Sequence, residues 1–536
     1  MGEGQRRGRT GTVAAVAVAV AAALVAAAAL AHASIAQPSE HERAGPTVVV
    51  TTEGAVRGAV QAGMRVFLGI PYAAAPVAGL RWRPPRPHPA WTAIRDARAF
   101  GSPCPQAASL WWRPSTNEDC LFLNVFTPSA PAGGKGDPVM VWLHGGGLIE
   151  GEASNFLPVG LVARKVVVVT LNYRLGVLGF LADPALSAES PDHASGNYGL
   201  LDQQAALRWV RHNIGRFGGD PSRVTLFGQS AGGLSVHAQL ASPTALGLFQ
   251  AAIVESGGYG DSQPSLSAAE ARGSAFAARL GCGAGGASCL RRVPVATLLA
   301  NQPFFDPTPV VDGKVLTRTI ARAFASGRFN HVPVIEGSTH DEVRFFLAPN
   351  APEGGWPTTA AAYRATLADM LEVTAATAAR IAARYPLSAY PSSGVALAAA
   401  ATDADYACPA RAAAQALSRY VPTYQYEFND EGAPRGFPGP PPQFPLGAYH
   451  TAELEYLFTL RGVPALPSGG HEELAQAMLD LWTTFSTTGQ PGPSWPRYTS
   501  ATDEVESLAP PAPVTEAGFA ADHRCAFWSR TPVGTE

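Results

Sequence analysis

The chain has 536 residues, 46% of them hydrophobic and 15% charged, with a formal net charge of -3. This composition is globular, and with neither a basic surplus nor a long run of like charge it excludes nucleic acid as an expected partner. Length alone favours two or more domains, because a single core usually stops growing at roughly 250–300 residues.

The first segment stands apart from the rest. Arg6, Arg7 and Arg9 make a basic start, residues 12–31 form an apolar run, and Ala31-His32-Ala33 offers small residues for cleavage. Residues 1–33 therefore read as a secretory signal peptide. The alternative is an uncleaved anchor, since about twenty apolar residues can span a bilayer; otherwise no membrane association is expected of the mature protein. Export to an oxidising compartment makes the six cysteines more consistent with three bridges than with free thiols, although composition leaves their pairing open. The chain contains no Asn-x-Ser/Thr sequon, so the expectation is a secreted, extracellular bacterial protein.

Next, Val48-Val49-Val50-Thr51-Thr52 and Ala55-Val56-Arg57-Gly58-Ala59-Val60 flank Gly54, the pattern of a hairpin. Residues 138–143, 166–171 and 224–227 are short apolar runs bounded by Gly, Asn or Asp, as expected of strands buried on both faces in a parallel sheet. Between the last two, residues 200–214 place Leu201, Ala205, Leu207, Trp209 and Val210 at roughly helical spacing. Strand, helix, strand is the alternation of an α/β fold. Residues 332–335 read as a further strand, the Ala-rich residues 358–384 as a pair of surface or cap helices, the Pro/Gly-rich residues 431–446 as loop, and residues 474–485 as an amphipathic helix. There are no internal repeats. Because the chemical motifs extend from Gly145 to His450, one large catalytic domain over residues 46–530 is expected against the length argument.

Gly228-Gln229-Ser230-Ala231-Gly232 follows a buried strand and runs into an apolar helix, the context in which G-x-S-x-G exposes a nucleophilic hydroxyl on a sharp, strained turn. The bland alternative is a glycine turn with a capping Ser. Upstream, His144-Gly145-Gly146-Gly147 ends the strand at 138–143. Consecutive glycines bring unhindered backbone N–H groups together, which suits an oxyanion hole formed by Gly146, Gly147 and Ala231, the residue after the nucleophile.

With these motifs the chain resembles the type-B carboxylesterase and cholinesterase family of α/β hydrolases. The similarity is carried by Phe67-Leu68-Gly69-Ile70-Pro71-Tyr72-Ala73, Glu118-Asp119-Cys120-Leu121-Phe122-Leu123-Asn124-Val125, the glycine run, Asn172-Tyr173-Arg174-Leu175-Gly176, Gly196-Asn197-Tyr198-Gly199-Leu200-Leu201-Asp202-Gln203, Phe217-Gly218-Gly219-Asp220-Pro221, the elbow and Trp495-Pro496. The resemblance implies an α/β-hydrolase fold with a large, mostly parallel central sheet flanked by helices. It also implies an N-terminal hairpin, cap-like insertions and a Ser-Glu-His triad acting through an acyl-enzyme, with no cofactor and no metal. Glu336-Gly337-Ser338-Thr339-His340-Asp341-Glu342 resembles the family's acid segment and points to Glu342. Val343, where the family has Gly, leaves Asp341 as the alternative. Tyr449-His450-Thr451-Ala452-Glu453 resembles the base segment and points to His450.

The resemblance further implies the pairings Cys104–Cys120, Cys282–Cys289 and Cys408–Cys525, and places Glu118 and Arg174 in segments that form a buried scaffold ion pair. Gln229 stands where the family usually has an acid, and Ala75 where it has proline. For the substrate, Trp112 in Trp112-Arg113-Pro114 resembles a choline-binding tryptophan, and Phe345, with Phe346 beside it, corresponds to a second aromatic of the pocket. Phe304 and Phe305 are expected to border an acyl pocket and to favour small acyl groups. The partner is then a small-molecule ester, with a choline ester, a lipase substrate and a non-catalytic adhesion or scaffold role as alternatives. The oligomeric state is open.

Overall fold

In a computed structural model, residues 47–531 and 533 are described, apart from 110, 131–132, 261 and 351–354. Residues 1–33, the segment expected to be a signal peptide, lie outside the described residues. Val48–Val50 and Ala55–Arg57 pair antiparallel, Val48 opposite Arg57, which is the expected hairpin. The main sheet has eleven strands. In chain order they are β1 (Ala59–Gln61), β2 (Met64–Pro71), β3 (Phe122–Pro128), β4 (Asp137–Leu143), β5 (Val167–Leu171), β6 (Gly219–Gln229), β7 (Ala251–Glu255), β8 (Val334–Thr339), β9 (Thr423–Phe428), β10 (Val505–Leu508) and β11 (Val514–Glu516). Their spatial order is β11-β10-β9-β8-β7-β6-β4-β5-β3-β2-β1. From β5 to β10 every neighbouring pair is parallel, while the strands beyond on each side run antiparallel.

The apolar runs become the centre of this sheet because they have two faces to bury. In β4, Val139, Val141 and Leu143 enter one core, while Met140 and Trp142 enter another, as successive strand side chains must. Helices α1 (Tyr198–Asn213) and α2 (Ala231–Ala241) cover the first face, α2 being buried at every position. Helices α3 (Ala360–Met370) and α4 (Ala375–Arg384) form the expected pair and pack in a separate cluster through Tyr363, Leu367 and Ile381. Helix α5 (Gly470–Thr488) covers the second face with Leu474, Met478, Trp482 and Phe485.

The strand expected at 332–335 begins two residues later, beyond Pro333, whose missing N–H cannot join a ladder. Several strands carry no plain apolar run. In β9, Tyr424, Tyr426 and Phe428 line one core and alternate with Gln425 and Glu427, which are buried on the other side. Polar burial on the second face hides such a strand from hydropathy.

Three disulfides join Cys104 to Cys120, Cys282 to Cys289 and Cys408 to Cys525. Glu118 and Arg174 are both in ion pairs, the first part-buried and the second buried, each with its own partner. Arg81 grips Glu118, and Arg174 holds Asp202 at 2.7 Å with both side chains buried. Among the described residues no helix is long and apolar enough to cross a membrane.

Candidate active site

The carboxyl ends of β4, β6 and β8 converge, and each delivers one part of the site. After β6 the chain turns at Ser230 with φ 57° and ψ -124°, a left-handed backbone that strains any residue except glycine. The turn is closed by contact. A side chain on Gly232 would meet the Leu143 carbonyl oxygen at 1.9 Å, and one on Gly228 would meet the same atom at 2.7 Å. The Ser230 N–H donates to the Glu255 carbonyl at 2.8 Å, fastening the elbow to β7.

Beyond β4, a Cβ on Gly145 would lie 3.1 Å from the Ser230 Cβ, so the glycine run passes directly beside the elbow. Gly146 and Gly147 have φ of 106° and 61°. Among the described residues neither N–H donates a backbone hydrogen bond. Ala231 opens α2, where N–H groups have no intrahelical acceptor. Three donors are thus left over beside one hydroxyl. His144 does not compete as a base: it is buried and stacked on Tyr173 at 4.5 Å, and burial pushes its imidazole down to about 4. His237 is likewise buried, 2.8 Å from Glu336.

Beyond β8, Glu342 is fully buried and hydrogen-bonds His450 Nδ1 through Oε2. Its Oε1 accepts the Thr339 N–H at 2.9 Å. Asp341 turns the other way. Its carboxylate accepts the Ala448 N–H at 3.1 Å and pairs with Arg344 at 2.8 Å. Val343, the departure from the family pattern, packs into the cluster of the α3–α4 pair. The outer nitrogen of His450, Nε2, faces the Gln229 carboxamide nitrogen at 3.2 Å. Among the described residues no hydrogen bond joins it to Ser230, whose hydroxyl faces Tyr259. Such contacts are commonly loose before substrate binds and tighten in the complex.

Ser230, His450 and the glycine run open on one cavity of about 770 Å³. Its aromatic wall includes the expected Trp112, Phe345 and Phe346, the last two with ring centroids 5.7 and 5.2 Å from the His450 ring. Phe437 also lines it, stacked on Trp111 at 4.6 Å. Nothing but an isolated aromatic in a Pro/Gly-rich stretch hinted at Phe437. Phe304 and Phe305 do not line this cavity, which corrects the acyl-pocket expectation. Phe304 is 61% exposed with the Arg279 guanidinium 3.4 Å above its ring, and Phe305 packs against Phe276 at 5.5 Å. Aromatic identity in a variable stretch does not determine which way the chain turns.

Comparison with known proteins gives this geometry its context. The model of the carboxylesterase family matches residues 45–528. The para-nitrobenzyl esterase of Bacillus subtilis is 37% identical over 487 residues, covering 85% of this chain and 94% of that protein. The fumonisin B1 esterase of Sphingopyxis macrogoltabida is 36% identical, covering 84% of each chain. A solved PNB esterase structure superposes with a TM-score of 0.75 at 34% identity, covering 90% of this chain and 99% of that one. An elbow, a glycine run and a sheet of this order, matched along nearly the whole chain, leave one assignment: the protein belongs to the carboxylesterase family of α/β hydrolases and hydrolyses carboxylic esters.

Proposed function

We propose that Ser230 is the nucleophile, His450 its general base and then the acid that protonates the departing alcohol, and Glu342 the carboxylate that orients the imidazole. The observation that carries this reading is the contact of buried Glu342 to His450 Nδ1, with His450 lining the same cavity as the strained Ser230. With Nδ1–H given to Glu342, Nε2 keeps a lone pair for the Ser230 proton, and Glu342 supports the imidazolium that forms. The N–H groups of Gly146, Gly147 and Ala231 receive the oxyanion, each such donor being worth about 2.7–4 kcal/mol. Ser230→Ala tests this: esterase turnover falls by about 10⁴-fold or more with the melting temperature retained, and near wild-type turnover would sink the assignment.

The substrate reading follows from the walls. A cavity of about 770 Å³ lies in the range that encloses a drug-sized ligand, and the small-acyl restriction loses its basis with Phe304 and Phe305 elsewhere. The esters are therefore bulky and largely apolar or aromatic. This agrees with relatives named for para-nitrobenzyl and fumonisin esters. A choline ester is the second reading, favoured by Trp112, whose face can hold a quaternary ammonium; the neutral Gln229 weakens it. The three bridges support export of the chain, with residues 1–33 as its signal. Peptide mapping under non-reducing conditions checks them, and free thiols in the native protein would count against an oxidising destination.

A further inference from the structure

The cavity wall also carries a guanidinium whose side-on edge meets no acceptor among the described residues. Arg435 lines the cavity from within the Pro/Gly-rich segment, its guanidinium carbon 4.6 Å from the Phe437 ring centroid. Its Nε and Nη2 are both shielded from solvent and have no hydrogen-bond acceptor among the described residues.

Elsewhere in the molecule these same two nitrogens, the side-on edge of a guanidinium, grip a carboxylate. Arg81 holds Glu118 through them at 2.7 and 2.5 Å, Arg113 holds Glu152 at 3.0 and 2.5 Å, and Arg174 holds Asp202 at 2.7 Å through each. Two covered donors on a cation are more costly to leave unpaired than neutral ones. The carboxylates of the wall do not serve them. Burial raises both Glu150 and Glu455, the latter to about 7, and the Glu455 carboxylate faces the Tyr449 hydroxyl at 3.4 Å. Arg435 is nonetheless tied to the reaction centre by a run of rings, from Phe437 to Phe345 at 5.0 Å and from Phe345 to His450 at 5.7 Å.

We propose that the esters taken by this cavity carry a carboxylate apart from the scissile ester, and that Arg435 receives it through Nε and Nη2. The proposal rests on the assignment of this cavity as the ester site. The planar fork matches a carboxylate with two parallel hydrogen bonds, and Phe437 supports the guanidinium face. Because that edge is covered, this binding requires the side chain to rotate about its own bonds as the carboxylate enters.

The experiment compares matched esters. On the acid side, para-nitrophenyl hydrogen adipate is set against para-nitrophenyl hexanoate; on the alcohol side, para-carboxybenzyl acetate against para-methylbenzyl acetate. In one of the two pairs the ratio of kcat/KM, charged over neutral, falls by about tenfold or more in Arg435→Met, through KM of the charged ester. Arg435→Lys, which keeps the charge and loses the fork, falls between. A ratio unchanged by Arg435→Met in both pairs overturns the proposal. Titration with the ketone analogue of the better charged ester, in which a methylene replaces the ester oxygen, reads recognition without turnover. Its affinity falls about tenfold in Arg435→Met, and equal affinity overturns the proposal whichever residue is the nucleophile. If Ser230→Ala stayed active while that affinity fell, the nucleophile assignment would be wrong and the carboxylate site right.

Discussion

Of the histidines held by buried carboxylates, His450 and His523 make the sharpest contrast, because only His450 turns a ring nitrogen away from its acid toward the cavity. His450 gives Nδ1 to Glu342 and turns Nε2 to Gln229 and the cavity. His523 gives Nδ1 to Asp403 at 2.6 Å and Nε2 to Glu427 at 2.5 Å, beside the Cys408–Cys525 bridge. Its two acids outweigh burial and raise it to about 10, so at neutral pH it is an imidazolium held as scaffold. A carboxylate on one nitrogen makes a base, provided the other nitrogen is left for a proton in transit. Carboxylates on both make a structural ion cluster.

The largest expected effect removes the difference at His450, the proposed general base. Glu342→Gln leaves the ring without its anion and should lower kcat by about 10⁴-fold in a steady-state assay on a para-nitrophenyl ester. Wild-type turnover there would erase the distinction between the two clamps.

At the scaffold histidine the same kind of change should appear in stability rather than in chemistry. His523→Gln strands Asp403 and Glu427 and should cost about 3–5 kcal/mol, measured by denaturant unfolding. The sign of its pH dependence follows from a folded pKa raised above the unfolded value. The stabilisation is complete below about pH 6.5 and is lost as pH rises toward about 10. The wild-type melting temperature should therefore fall across that window more steeply than that of His523→Gln, and parallel curves would show that His523 is not charged.

A smaller change sharpens the comparison from the other nitrogen. Gln229→Glu puts an acid beside Nε2, making His450 more like His523. The acid limb of the kcat/KM profile should move up by about one pH unit, and an unmoved limb would mean that residue 229 does not reach the ring in solution. Smallest of all is Asp341→Asn, whose carboxylate serves Ala448 and Arg344. Its kcat should stay within about threefold of wild type; a collapse in activity would put the catalytic acid one residue earlier.

Much of this is legible in the amino-acid sequence alone. The elbow is local: a buried strand, small residues and an apolar helix within a few positions leave Ser230 little freedom, and the glycine run is marked by the same economy of side chains. Short apolar runs announced β4, β5 and the core of β6 because a strand buried on two faces has no use for alternation. Glu342 and His450 were different. They are separated by 108 positions, no local period relates them, and only resemblance to a family singled them out from other acids and histidines.

What the sequence determined, then, was the chemistry carried by short-range geometry. Tertiary structure alone decided what surrounds it. It sent Phe304 and Phe305 to another part of the molecule, brought Phe437 and Arg435 from a loop to the cavity, and set Gln229 against His450 Nε2. It also gave Glu118 and Arg174 separate partners. The physical reason is that a turn is constrained by its own few residues, whereas a wall or an ion pair depends on where distant segments are carried by the packing of the sheet and its helices.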